Sequence, residues 1–280
     1  MRLFRISAAV ILTLFAVWAL IERIAGPSAP PLPATLPSIV RQLPPQRANF
    51  PLPETGTVNP GDEVLQLHQR GITGRNIGIA IIDRFPFPGH REFGDRVRWY
   101  DEIDADAADT AHWHGTGTAS IAAGKTIGVA PEADLYLVGL GMNWAGEPIG
   151  NWFDAAPRAL HTGQTVALAV RRVLAINRKL EPNRKIRAIS LAVGTGIRWL
   201  DQRDSAIGEA RAQGIFVSEP GLHPRPYGPV IVASPTAADA YTSAGPAPSW
   251  AIAYWAGRYA LAVQANPAIT PEQFAKSVPH

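Results

Sequence analysis

Three residue types at three separated positions in this chain could do chemistry together. Asp83 closes the apolar, β-branched run NIGIAIID from Asn76. In an open α/β sheet the carboxyl ends of the strands line the working crevice, so a carboxylate there is placed to act, and equally placed to cap a turn. His114 stands in Trp113-His114-Gly115-Thr116-Gly117. Small residues after it let a helix start pack closely and leave the imidazole accessible, and a group that titrates near neutrality suits a general base. Ser249, in Ala247-Pro248-Ser249-Trp250-Ala251, enters an apolar helical run. A serine at a helix start is either a cap or a nucleophile backed by the positive helix end and a neighbouring base. The absence of cysteine removes disulfides, thiolate metal sites and cysteine catalysis.

The elements that must carry these residues alternate between strand and helix patterns. Short apolar runs predict strands at Asn76–Asp83, Ala133–Leu140, Ile186–Val193, Ile215–Ser218 and Val230–Ser234. The stretch between Asp83 and His114 reads as a loop. Helices are predicted over Asp62–Arg70, His114–Ala123, Gln164–Leu180, Asp204–Gln213 (capped by Gly214), Trp250–Ala265 and Pro271–Val278. Such alternation indicates an α/β fold with a mostly parallel sheet. With 46% apolar and 18% charged residues the chain can bury a sizeable core. A net charge of +3 is too small to imply a nucleic-acid partner.

The chain resembles the subtilisin-like serine proteases, whose triad runs Asp, His, Ser. Four stretches carry the likeness. Gly71-Ile72-Thr73-Gly74 through Asp83, with His90 and Phe93 downstream, is similar to the family's strand ending in the catalytic Asp. His114-Gly115-Thr116-Gly117-Thr118-Ala119-Ser120 is similar to HGTHVAG, and runs on to Gly128-Val129-Ala130-Pro131-Glu132-Ala133-Asp134-Leu135, which is similar to GVAPxAxL. Ala188-Ile189-Ser190-Leu191 resembles the strand that binds the substrate backbone. Pro248-Ser249-Trp250-Ala251 with Ala256-Gly257 resembles GTSMA…AG. The resemblance implies a three-layer subtilisin-like α/β fold with a mostly parallel central sheet. It implies a serine endopeptidase in which Ser249 attacks, His114 moves the proton and Asp83 orients the imidazole. Ser190 and Leu191 would bind a polypeptide substrate. Ser243 in Thr242-Ser243-Ala244 is a rival nucleophile, but Ser249 stands eight residues before Gly257, the spacing the family requires.

Several positions depart from that pattern. Arg84-Phe85 follows the Asp instead of Ser/Thr-Gly. Gly117 replaces the second histidine of HGTH, Pro248 a threonine, and Ala253 a proline. No Gly-Asn follows the Ile215 strand; Glu219-Pro220-Gly221-Leu222-His223 stands there, with His223 where the oxyanion-binding Asn would be. This departure supports an alternative, an impaired pseudoprotease serving as a binding or scaffold module.

Other features imply less. Asp101, Glu102, Asp104, Asp106 and Asp109 read as a solvated acidic loop, with structural calcium the alternative; the spacing is not that of an EF-hand. His112 and His114 form H-x-H without a third ligand, so no metal or cofactor is expected. The basic run Arg171–Arg187 reads as a solvent-facing helix and loop.

At the N-terminus, Arg2 and Arg5 precede Ile6–Ile21, sixteen residues without a charge. That is about 24 Å of helix against a hydrocarbon core of about 30 Å. No small-x-small cleavage pattern follows, which favours an uncleaved hydrophobic helix over a removed signal peptide. Residues 26–60 are a proline-rich spacer. The expected organisation is an anchor or signal over 1–25, the linker over 26–60 and a peptidase domain over 61–280. The domain is expected outside the cytoplasm, tethered to the membrane, or secreted if the N-terminus is cleaved.

Overall fold

The computed structural model describes residues 60–103, 113–141, 163–194, 200–220 and 248–277. All of them belong to one compact unit of the chain, Leu32–His280. In chain order the elements are α1 (Asp62–Gln69), β1 (Gly78–Arg84), β2 (Val97–Ile103), α2 (Trp113–Ala123), β3 (Asp134–Leu140), α3 (Gly163–Lys179), β4 (Ile186–Leu191), α4 (Leu200–Ala212), β5 (Phe216–Ser218), α5 (Pro248–Ala265) and α6 (Pro271–Ser277).

The five strands form one sheet in the order β2-β3-β1-β4-β5, and every pairing is parallel. β1 sits at its centre. Ile79, Ala80, Ile81 and Ile82 are all fully buried, as a parallel strand covered on both faces requires. Alternation along the strand then sorts the core in two. Ile79 and Ile81, with Leu135, Leu137 and Ala188, pack under α1, α2, α5 and α6. Ala80 and Ile82, with Val138, Ile189 and Leu191, pack under α3 and α4. The result is a three-layer α/β arrangement.

β2 is a correction to the expected loop after Asp83. Its pattern is half-buried, with Trp99 and Ile103 inside and charged residues between them. Asp101 and Glu102 are therefore strand residues rather than part of a solvated loop; Asp104, Asp106, Asp109 and His112 lie outside the described residues. The basic run also divides. Arg171 is exposed and pairs with Glu209, but the guanidinium of Arg172 is only 5% exposed and meets Asp101 at 2.9 Å. Arg184 reaches Asp134 at 3.0 Å. α4 begins at Leu200, earlier than the pattern indicates, and ends where expected, with Gly214 at φ 72°. The expected strand Val230–Ser234 lies outside the described residues.

The C-terminal part of α5 is tied back to the loop that launches β1. Gln264 Oε1 accepts the backbone N–H groups of Thr73 at 2.8 Å, Gly74 at 2.6 Å and Arg75 at 3.2 Å. Gln264 Nε2 donates to Gly71 O at 3.0 Å. No helix among the described residues is long and apolar enough to cross a membrane; the segment 6–21, on which the membrane expectation rests, lies outside them.

Candidate active site

Asp83 lies near the carboxyl end of the central strand, on the face that packs against α2 and α5, and its side chain is fully buried. A buried carboxylate without partners loses several kcal/mol of hydration. Here it accepts three hydrogen bonds. The Arg84 N–H donates to Oδ1 at 2.6 Å. His114 Nδ1 meets the same oxygen at 2.7 Å. Thr118 Oγ1 donates to Oδ2 at 2.8 Å. With the carboxylate ionised, Nδ1 must carry the proton, and Nε2 of the neutral ring is then the basic nitrogen.

His114 reaches Asp83 because α2 starts hard against the chain that follows β1. A Cβ at Gly115 would stand 1.8 Å from Arg84 O, so no side chain fits after the histidine. The Phe87 N–H donates to Thr116 Oγ1 at 3.0 Å, which fixes the 84–87 loop to the same helix turn. Glycine and threonine are poor helix formers; this helix is held instead by packing, with Thr116, Thr118, Ala119 and Ser120 all fully buried. The His114 side chain is 22% exposed, so one part of the ring faces outward.

Ser249 is half-buried and is the second residue of α5. The next residue, Trp250, stacks on the His114 imidazole with ring centroids 5.5 Å apart and an interplanar angle of 27°. The first turn of α5 therefore lies beside His114. Close packing of the two helices keeps it there: a Cβ at Gly257 would stand 2.7 Å from both Ala122 O and Val129 Cβ. Trp250, Ala253 and Ala256 of α5 are buried in the core under α2.

Ser190 and Leu191 close β4, an interior strand. Ser190 pairs with Ile81 of β1 and Ser218 of β5, while Leu191 pairs with Ile82. Among the described residues the β4–β5 pairing ends at Ser190 and Ser218. The side chains of Ser190 and Leu191 are both buried, at 0% and 2% exposure. The Ser190 hydroxyl has no hydrogen-bond partner among the described residues. His223 and Ser243 lie outside the described residues. Among the described residues no cluster of His, Cys, Asp or Glu could hold a metal.

Asp83 and His114 are thus brought together, and Ser249 belongs to the helix turn whose Trp250 stacks on His114. Two contributors escape motif reading, Thr118 and Trp250. A signal for Thr118 exists: it lies four residues after His114, on the same face of the helix.

The model of the Subtilase family matches residues 74–218. The chain is 39% identical over 79 residues to Subtilisin-like protease 4 of the fungus Arthroderma gypseum, a match that takes in 28% of this chain and 20% of the relative. The chain thus spans about a fifth of the length of that curated relative. A crystal structure of a cold-adapted subtilisin-like serine proteinase overlays with a TM-score of 0.48 and 19% identity, over 73% of this chain and 81% of the other.

Proposed function

The chain belongs to the subtilase family, and from that premise we propose that it is a serine endopeptidase working through Asp83, His114 and Ser249. One observation carries the reading: the 2.7 Å contact between Asp83 Oδ1 and His114 Nδ1 at the carboxyl end of β1; the ring of Trp250, next to Ser249 in the first turn of α5, stacks on that imidazole. Ser249 Oγ attacks the scissile carbonyl while His114 Nε2 takes its proton. The imidazolium returns that proton to the leaving amine, and Asp83 holds the ring through Nδ1–H throughout. The N–H of Ser249 lies in the first turn of a long helix, where backbone donors lack partners within the helix. It is aimed to stabilise the developing oxyanion, with His223 as the second donor. A polypeptide enters as an added strand beside the backbone that follows Ser190.

A fluorophosphonate probe tests this. The full-length chain should be labelled, and Ser249→Ala and His114→Ala should each abolish labelling while Ser243→Ala keeps it. His223→Ala should lower turnover by about 10²–10³-fold, as loss of one oxyanion donor does. The absence of Gly-Asn after β5 favours a second reading, a pseudoprotease that binds polypeptides without cutting them. Failure of the folded wild type to label would establish that reading in place of the first.

The uncharged run 6–21 supports a tether that holds the domain outside the cytoplasm. The chain should stay with membranes through a carbonate wash, and a chain lacking residues 2–25 should not. Release of the full-length chain by the wash would remove the tether from the proposal.

A further inference from the structure

We infer that Thr118 is a positioning residue for the His114–Asp83 pair, an inference that rests on the triad reading above. The carboxylate of Asp83 is gripped at both oxygens, but unevenly. Oδ1 takes the Arg84 N–H and His114 Nδ1. Among the described residues, Oδ2 has one donor, the Thr118 hydroxyl at 2.8 Å. That single bond prevents the carboxylate from swinging about its last torsion, a soft and nearly two-fold coordinate. It therefore keeps Oδ1 in the plane that His114 Nδ1–H needs.

The hydroxyl has two acceptors within reach. Thr118 Oγ1 also lies 3.0 Å from Gly115 O, the ordinary back-bonding partner of a threonine inside a helix. It has one proton to give. If the proton went to Gly115 O, the lone pairs of Oγ1 would face a buried carboxylate at 2.8 Å with nothing between them. Donation to the charged oxygen is the stronger bond, so the proton goes to Asp83. Thr118 is fully buried, which leaves no water to substitute for it. The neighbouring hydroxyls on the helix are engaged elsewhere: Thr116 Oγ1 accepts from Phe87 N, and Ser120 Oγ donates to Thr116 O. Thr118 is the hydroxyl of α2 that donates to Asp83.

The test compares Thr118→Val, which keeps the shape and removes the hydroxyl, with Thr118→Ser, which keeps the hydroxyl and removes a methyl. The readout is the hydrogen-bonded Nδ1–H proton of His114 in nuclear magnetic resonance of the histidine-labelled full-length chain, assigned by its loss in His114→Ala. Circular dichroism sets a temperature at which each variant is folded, and Thr118→Ala is the second hydroxyl-free variant if Val does not fold. The signal should broaden or vanish in the hydroxyl-free variant and persist in Thr118→Ser. Where the chain cleaves a peptide, kcat in Thr118→Val should fall on the order of tenfold with KM little changed, the scale of one lost hydrogen bond to a charged group. A wild-type signal in Thr118→Val would overturn the inference. Equal loss in Val and Ser would also overturn it, since the effect would then belong to packing. The resonance needs no catalysis, so a chain that fluorophosphonate fails to label can still show the positioning bond. The two failures are thereby distinct.

Discussion

At the scale of single residues, the site is built from groups whose partners lie far away in sequence. His114 is legible from His-Gly-Thr, and the reason glycine follows it is a backbone contact with Arg84. Trp250 is not legible as a ring on the imidazole, because stacking depends on where two helices start relative to one another. His90 shows a different residue-scale effect. It is buried beside the rings of Phe87 and Phe93, and its Nδ1 accepts the Glu92 N–H at 3.4 Å. Burial lowers its pKa, outweighing the opposite pull of Glu92, with Arg91 adding to the depression. The unfolded chain then binds the proton more readily than the folded one. Stability should be full above the unfolded value, near about 6.5, and decline as the pH falls below it. His90→Asn, which keeps an acceptor and does not titrate, should flatten that decline in denaturant melts taken from pH 8 to pH 5. An unchanged slope would assign the acid sensitivity elsewhere.

At the scale of elements, most of the helices and interior strands follow from their patterns, because a continuous β-branched run or a 3.6-residue stripe is a local signal. β2 does not, because it lies at the edge of the described sheet and shows a broken alternation interrupted by Arg98, Asp101 and Glu102. Arg172 looks like a solvent-facing residue on its helix until β2 supplies Asp101. Two substitutions test how α5 is held. Gly257→Ala places a methyl 2.7 Å from Ala122 O and should cost about 1–3 kcal/mol in chemical denaturation. It should also weaken fluorophosphonate labelling, since α5 carries Ser249. Gln264→Ala leaves the N–H groups of Thr73, Gly74 and Arg75 to water. Because the site is half-buried, the expected loss is about 1 kcal/mol, near the lower end for a lost partner. Fast hydrogen exchange at those three amides would confirm the assignment.

At the scale of the whole molecule, the sheet holds the candidate site and a buried ion-pair cluster at opposite ends of its strands. Asp83 and the start of α2 sit at the carboxyl ends of the strands. At the opposite ends Asp134 opens β3, with its carboxylate 4% exposed, and receives Arg98 of β2 at 2.6 Å and Arg184 before β4 at 3.0 Å. Removing one arginine leaves a buried carboxylate short of a donor. Arg98→Met should therefore cost about 1–3 kcal/mol, and the loss should survive high salt because the acceptor is buried. Arg75→Met, which breaks an exposed pair with Glu132, should change stability by less than about 1 kcal/mol. Neither change should affect fluorophosphonate labelling of the folded chain at 25 °C. A loss of labelling in Arg98→Met would show that the two edges are coupled.

The sequence by itself determined the α/β class, the order of most elements and the family resemblance, and it singled out Asp83 and His114 as a candidate pair, since these depend on local periodicity and on short motifs. Only the tertiary structure decided that Thr118 grips Asp83, that Trp250 lies on His114, that β2 is a strand and that Arg172 is buried. Each of those is a contact between elements distant along the chain, and the geometry that creates it appears only when the sheet and its two helical layers close on one another.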